Sequence, residues 1–274
     1  MVKPRVLILT GRGIDCGDET KFAFESAGAE TDKVHIDDLI KGNKKLKEYQ
    51  ILALPIEDSY DAEINGVDIY GAGTKSLIVN KIKTHFLDEL KEFVKEDKLA
   101  IGICDGFRVM VELGLLPTIN GEYAEGTVEL LPNKTANNLD RWVDLQFHGS
   151  SIWVEGIKTA SLPITHINGR FYASDKTLLE LNKKGLVAAK YFLGMICCYQ
   201  DLEPNPTGSL EEIAGITDET GRIIGMMPHP EKAINFTQIP NWKSMCEGYL
   251  RTGLEVPKNG PALKIFENAV KYFN

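Results

Sequence analysis

Leu99-Ala100-Ile101-Gly102-Ile103-Cys104-Asp105-Gly106-Phe107-Arg108 is the stretch on which the reading of this chain turns. Its first five residues form a short apolar run fit for a buried strand. Val109-Met110-Val111-Glu112-Leu113 then continues as helix-compatible sequence. Cys104 stands at the corner between the two, with Gly102 and Gly106 two residues to either side. A tight strand-to-helix turn exposes a nucleophile, and small flanking residues let the chain pack closely. The positive end of a helix dipole also favours a thiolate. Taken alone, the pattern fits an inert thiol at a strand end slightly better than a nucleophile, because cysteine is among the most buried residue types.

Outward from the corner, the N-terminal part alternates strands and helices. Arg5-Val6-Leu7-Ile8-Leu9-Thr10 and Ile51-Leu52-Ala53-Leu54-Pro55 are continuous apolar runs, as in parallel strands covered on both faces. Lys75 to Glu96 reads as one long amphipathic helix, its apolar residues Ile78, Ile82, Phe86, Leu90, Phe93 and Val94 spaced by fours and threes. Such alternation predicts a doubly wound, mainly parallel sheet with right-handed crossovers and helices on both faces. Cys104 then lies at a strand's carboxyl end, where such folds bind ligands.

Gly11, Gly13 and Gly17 sit one residue wider than a dinucleotide fingerprint, and the acids that follow would repel a pyrophosphate. We read a tight loop there, although Asp32 has the spacing of a ribose-binding acid. The acidic loop from Ile56 to Gly73 carries Glu57, Asp58, Asp61, Glu63 and Asp68 without calcium-loop spacing, and reads as a solvated or lid-like segment.

At 274 residues, 43% hydrophobic and 26% charged, the chain has an ordinary globular composition. Its net charge of −8 argues against a nucleic-acid surface, and no apolar run approaches membrane-spanning length. The five cysteines (16, 104, 197, 198 and 246) lack metal-ligand spacing, so no metal is expected. Cys197 and Cys198, inside an apolar run, read as core. An odd, scattered set and no targeting segment predict a reducing, cytoplasmic setting.

Beyond Leu116-Pro117 the texture changes to short strands. Trp142 to Phe147 alternates, with Val143, Leu145 and Phe147 on one side and Asp144 and Gln146 on the other. Ser151 to Val154 is expected as its hairpin partner, Thr177–Lys184 as a short helix, and Leu186–Tyr191 and Met195–Tyr199 as further strands. Ile213–Ile216 and Ile223–Met227 flank Asp218-Glu219-Thr220-Gly221 as a hairpin. No linker, repeat or low-complexity tract breaks the sequence, so 1–274 is read as a single domain.

Met226-Met227-Pro228-His229-Pro230-Glu231 closes that hairpin. Two prolines fix the backbone around His229 and deny its neighbours ladder bonds. In an extended chain His229 and Glu231 project from the same side. That suits a carboxylate orienting an imidazole, which in turn deprotonates a thiol elsewhere. A lone histidine is usually structural, but a Pro-locked His-x-Glu and a glycine-flanked cysteine in one chain point to a Cys104–His229–Glu231 triad.

Gly102-Ile103-Cys104-Asp105-Gly106-Phe107 together with Pro228-His229-Pro230-Glu231 resembles the class I (triad) glutamine amidotransferases. Further blocks resemble the glutaminase subunits of purine-biosynthetic phosphoribosylformylglycinamidine synthases. These are Glu112-Leu113-Gly114-Leu115-Leu116-Pro117, Pro163-Ile164-Thr165-His166, Gly169-Arg170-Phe171-Tyr172, Asn205-Pro206-x-Gly208-Ser209 and Ile213-Ala214-Gly215-Ile216.

The resemblance implies a flavodoxin-like sheet with an added small antiparallel sheet. It makes Cys104 the nucleophile on L-glutamine, His229 its base and Glu231 the residue that orients it. Backbone N–H groups of Asp105 and Ile56 would form the oxyanion hole, with Arg108 and His166 near the substrate. It implies no cofactor in this chain, a synthetase subunit carrying ATP and magnesium, and a small accessory subunit. Ammonia would convert formylglycinamide ribonucleotide to formylglycinamidine ribonucleotide.

The chain departs from the family at Asp105 and Arg108, where Asn and Gln are usual. It also departs at Ile56-Glu57, where a Gly-Gly pair is typical, and residues 235–259 read as an insertion before a C-terminal helix. Two other readings compete: a degenerate scaffold that only binds the synthetase, and a Cys-elbow hydrolase of other specificity.

Overall fold

Strands of this chain are buried wherever their sequence is uniformly apolar, and that places the sheet. The computed structural model describes residues 3–11, 16–56, 77–123 and 126–274. The strands are β1 (Arg5–Thr10), β2 (Glu30–His35), β3 (Ile51–Ile56), β4 (Leu99–Cys104), β5 (Thr118–Ile119), β6 (Glu122–Tyr123), β7 (Val128–Pro132), β8 (Leu139–Phe147), β9 (Thr159–His166), β10 (Asn168–Ala173), β11 (Val187–Tyr191), β12 (Ile213–Thr217) and β13 (Ile223–Met226). The helices are α1 (Gly17–Ser26), α2 (Ile36–Ile40), α3 (Leu77–His85), α4 (Leu87–Lys95), α5 (Asp105–Glu112), α6 (Asp175–Lys183), α7 (Met195–Gln200), α8 (Trp242–Thr252) and α9 (Leu263–Lys271).

Nine strands form one sheet in the order β2-β1-β3-β4-β13-β12-β11-β8-β9. The first five run parallel. From β13 to β9 every neighbouring pair is antiparallel. Every residue of β3 and β4 is buried, whereas the edge strand β2 is largely exposed or half-buried and polar. The doubly wound expectation thus holds, with the antiparallel strands joined onto the same sheet. Two separate two-stranded sheets pair β10 with β7 and β5 with β6.

The chain steps outward from β1 to β2 and then returns to β3 on the other side. Right-handed crossovers in opposite directions put α1 on one face and α3 to α5 on the other. On its face α1 packs against α9, where Phe24 meets the Phe266 ring edge-on at 4.9 Å. On the opposite face α5 packs against β3, β4 and β13.

Four expectations need correction. The helix expected over Lys75–Glu96 is broken at Phe86 (φ −149°, ψ 22°) into α3 and α4. The break lets Val79 and Ile82 on one piece, and Leu90, Phe93 and Val94 on the other, all reach the core. Ser151–Val154 is not a hairpin strand; residues 152–154 form a 3-10 turn that plugs Trp153 into the core, its Nε1 donating to the Arg222 carbonyl at 2.9 Å. The partners of β8 are β9 and β11.

Met195–Tyr199, expected as a strand, lies in a helix (Met195–Gln200) whose first turn is held by buried Asp144, which accepts from Cys197 N (2.9 Å) and from Ser161 Oγ (2.6 Å). That carboxylate satisfies an orphan N–H of the first turn. Of the cysteine pair only Cys197 is core; Cys198 is exposed. Asp32, the candidate ribose-binding acid, is already held by Arg5 (2.9 Å) and Tyr49 Oη (2.8 Å). The acids Glu57, Asp58, Asp61, Glu63 and Asp68 lie outside the described residues.

Residues 235–259 leave and re-enter the fold at one point. Phe236 N donates to Lys258 O (3.1 Å), and Gly260 N donates to Ile234 O (2.7 Å). Between these ties α8 buries none of its residues.

Candidate active site

Cys104 is the last residue of β4 and the residue before α5, and the turn there is as sharp as the sequence demands. Its backbone (φ 57°, ψ −119°) lies outside the comfortable range of a non-glycine residue, a strain of about 1–3 kcal/mol that only a constraining surround sustains. The flanking glycines explain how. A Cβ on Gly106 would stand 1.8 Å from the Leu54 carbonyl oxygen, and one on Gly102 would stand 2.7 Å from the Gly106 carbonyl oxygen. The helix therefore starts directly on the ends of β3 and β4.

Three strand ends meet at this corner. In the parallel ladders Ile103 lies opposite Met226 and Cys104 opposite Ile56, so Ile56 and the exit of β13 flank Cys104. The third end belongs to β9, the far edge of the sheet. The antiparallel half curls until β9 crosses β4 and the turn at Pro230–Lys232. Cys104 Sγ donates to the Thr165 carbonyl at 3.5 Å, and His229 N donates to the Pro163 carbonyl at 2.9 Å.

His229 and Glu231 are joined as their spacing predicts. Nδ1 lies 2.7 Å from Glu231 Oε1, with the side chains 1% and 0% exposed. Against an acceptor carboxylate oxygen Nδ1 is the donor of this bond, which leaves Nε2 with the ring's free lone pair. Among the described residues, His229 Nε2 and Glu231 Oε2 have no hydrogen-bond partner. The thiol is therefore parked on Thr165 O rather than on the imidazole.

Asp105 opens α5, placing its backbone N–H at the helix N-terminus beside the thiol. Its carboxylate takes Arg108 Nε at 2.8 Å, and Arg108 Nη1 reaches Glu112 at 2.9 Å. The cation is thereby tied along its own helix and balanced by two acids.

His166 is 5% exposed, and neither ring nitrogen has a partner. Burial above all pushes its pKa down to about 4; the Asp105 carboxylate opposes that shift and the neighbouring His229 adds to it. The ring is held against Gly169, where a Cβ would come within 2.1 Å of it. His166 is thus a neutral imidazole with donor and acceptor both unused, beside Asp105 and His229. Two neighbours escaped the sequence reading: the Thr165 carbonyl, which has no side-chain signature, and Tyr191. Burial, together with Cys104 nearby, raises the Tyr191 phenol above its ordinary range.

Residues 3–273 match the family described as the CobB/CobQ-like glutamine amidotransferase domain. The chain belongs to this family. Among curated relatives it is similar to a protein of Methanococcus maripaludis named phosphoribosylformylglycinamidine synthase subunit PurQ. The two are 39% identical over 285 residues, covering 100% of this chain and 98% of the relative. A protein of the same name from Dehalococcoides mccartyi is 34% identical over 276 residues, covering 99% and 98%.

Among solved structures, a chain of PurLQS from Thermotoga maritima superposes with a TM-score of 0.68 at 23% identity, both chains covered in full. The glutaminase domain of Trypanosoma brucei CTPS with bound acivicin gives 0.51 at 14% identity, covering 94% and 98%. At those identities the structures establish the shared glutamine amidotransferase fold. No helix among the described residues is long and apolar enough to cross a membrane.

Proposed function

We propose that the chain is the glutaminase subunit of a phosphoribosylformylglycinamidine synthase. Cys104, His229 and Glu231 release ammonia from L-glutamine for a synthetase subunit that carries ATP and magnesium. The observation that carries this reading is the buried His229–Glu231 pair at the exit of β13, the strand hydrogen-bonded to the one that ends in Cys104. The full-length kinship with subunits named for that synthase supports it.

In the proposed reaction the Cys104 thiol gives its proton to His229 Nε2, and the sulfur adds to the carboxamide carbon. The negative oxygen is held by the N–H of Asp105 and, as the second donor, that of Ile56. One such donor is typically worth about 10²–10³ in rate. Collapse breaks the C–N bond, and His229 returns the proton to the departing ammonia. Water then hydrolyses the thioester to glutamate, with the same imidazole as base. Glu231 holds the ring in the productive tautomer throughout. His166 offers its two unused nitrogens to the bound amino acid, and Arg108, neutralised by Asp105 and Glu112, leaves the substrate ammonium unopposed.

The parked thiol and the fully buried Cys104 fit a subunit with low glutaminase activity alone and higher activity once the synthetase docks. The 235–259 excursion is read as an added segment that reaches toward that assembly, which would also include a small accessory subunit.

The deciding experiment is Cys104→Ala in the reconstituted complex. Glutamine-dependent synthesis of formylglycinamidine ribonucleotide is lost while synthesis from added ammonia persists. Survival of the glutamine-dependent rate refutes the assignment and leaves the scaffold reading.

A further inference from the structure

Cys16 sits immediately before α1, which packs against the turn that carries Glu231. Its sulfur, a ring nitrogen of His229 and a carboxylate oxygen of Glu231 all lie within 4.8 Å of one another, and all three residues are buried. The reaction just described uses His229 and Glu231 but assigns nothing to Cys16. The same two side chains hold the orphaned buried atoms His229 Nε2 and Glu231 Oε2.

We propose that Cys16, His229 and Glu231 form a binding site for a thiophilic divalent cation of the zinc class, and that filling it switches the glutaminase off. The donor set decides the class of ion: sulfur with imidazole and carboxylate suits zinc or cobalt, whereas magnesium and calcium take oxygen cages. Tetrahedral zinc at its usual bond lengths holds ligand atoms about 3.3–3.7 Å apart, inside the 4.8 Å span of this trio, so side-chain adjustment completes it, with water in the fourth position.

Charge also balances. On binding, the Cys16 thiol releases its proton to solvent, and thiolate plus carboxylate cancel the two positive charges, leaving a buried site that is neutral overall. Coordination through Nδ1 breaks the bond to Glu231, and coordination through Nε2 takes the base's lone pair. Either way cation and catalysis exclude each other. That inhibitory consequence rests on the proposed function; binding itself does not.

Binding is read first by equilibrium dialysis with zinc alone, in a background of Cys198→Ser and Cys246→Ser that removes the two more accessible thiols. One equivalent is expected to bind. Affinity should be unchanged by Cys104→Ser and weakened by about 10–100-fold or more by Cys16→Ser, because loss of mere supporting groups already costs that much. Cobalt should give a thiolate charge-transfer band at one equivalent that persists in Cys104→Ser. This reading stands even where Cys16→Ser fails to fold.

In the complex, zinc should abolish glutamine-dependent but not ammonia-dependent synthesis. A chelator should restore the rate, and Cys16→Ser, judged against its own metal-free rate, should resist. The proposal is overturned by no tight zinc binding, or by binding that depends on Cys104 and not on Cys16. A bound ion without inhibition keeps the site and refutes only its effect on catalysis.

Discussion

Acid should act on this protein through His166 before it acts on most carboxylates. The imidazole titrates near pH 4 in the folded chain against an ordinary value of 6.5. Between those values the unfolded chain binds the extra proton, so stability rises with pH across the window, and the contribution is complete above it. Each pH unit of that gap is worth about 1.4 kcal/mol, which gives a total of about 3 kcal/mol. Of this, about 2 kcal/mol is lost on going from neutrality to about pH 5. Ionised Asp105 moderates the effect, so Asp105→Asn should push the ring lower still.

Urea unfolding at neutral pH and at about pH 5, for the parent chain and for His166→Gln, isolates the contribution. The parent should lose about 2 kcal/mol more than the variant. A His166 ring resonance that titrates near 6.5, or equal losses in both proteins, would show that the imidazole is solvated and that its burial argument is wrong.

Three further outcomes follow from the same geometry. Gly106→Ala should fail to fold or melt far below the parent, because its methyl would meet the Leu54 carbonyl 1.8 Å away; a near-native thermal melt would contradict the close approach. Glu231→Gln should leave the fold intact while lowering the glutamine-dependent kcat by about 10²–10⁴, with ammonia-dependent synthesis unchanged in the same assay. Arg108→Gln should cost about 1–3 kcal/mol in chemical denaturation by leaving buried Asp105 without its charged partner. The KM for glutamine should barely move; a large drop in KM would place the guanidinium in the substrate pocket instead.

The sequence announced the parallel half because β1, β3 and β4 are covered on both faces and are apolar throughout. It announced the Cys104 corner and the His229–Glu231 pair because each is local: a glycine two residues away on either side, and a proline on either side of the histidine. What it concealed is long-range. Nothing in Pro163–His166 says that an edge strand returns across the sheet to offer a carbonyl to a thiol 61 residues earlier. The helix at Met195 depends on a carboxylate 53 residues away. The break at Phe86 follows no glycine or proline, and comes from two apolar faces seeking one core. Cys16 is a solitary thiol whose neighbours come from the opposite end of the chain.

The position of β13 in the sheet has a consequence for synthesis. Strands β2, β1, β3 and β4 leave the ribosome together, but the partner that seals β4 begins at residue 223, roughly 120 residues after Cys104. At about 5–20 residues per second, the uniformly apolar β4 waits roughly 6–24 seconds with one row of backbone groups unpaired. For that interval the nascent chain presents an unpaired, apolar strand edge that ends at Cys104. The tail of the polypeptide is therefore the cap that makes the front half safe, and truncations shortly before Ile223 should yield aggregates rather than a smaller soluble domain.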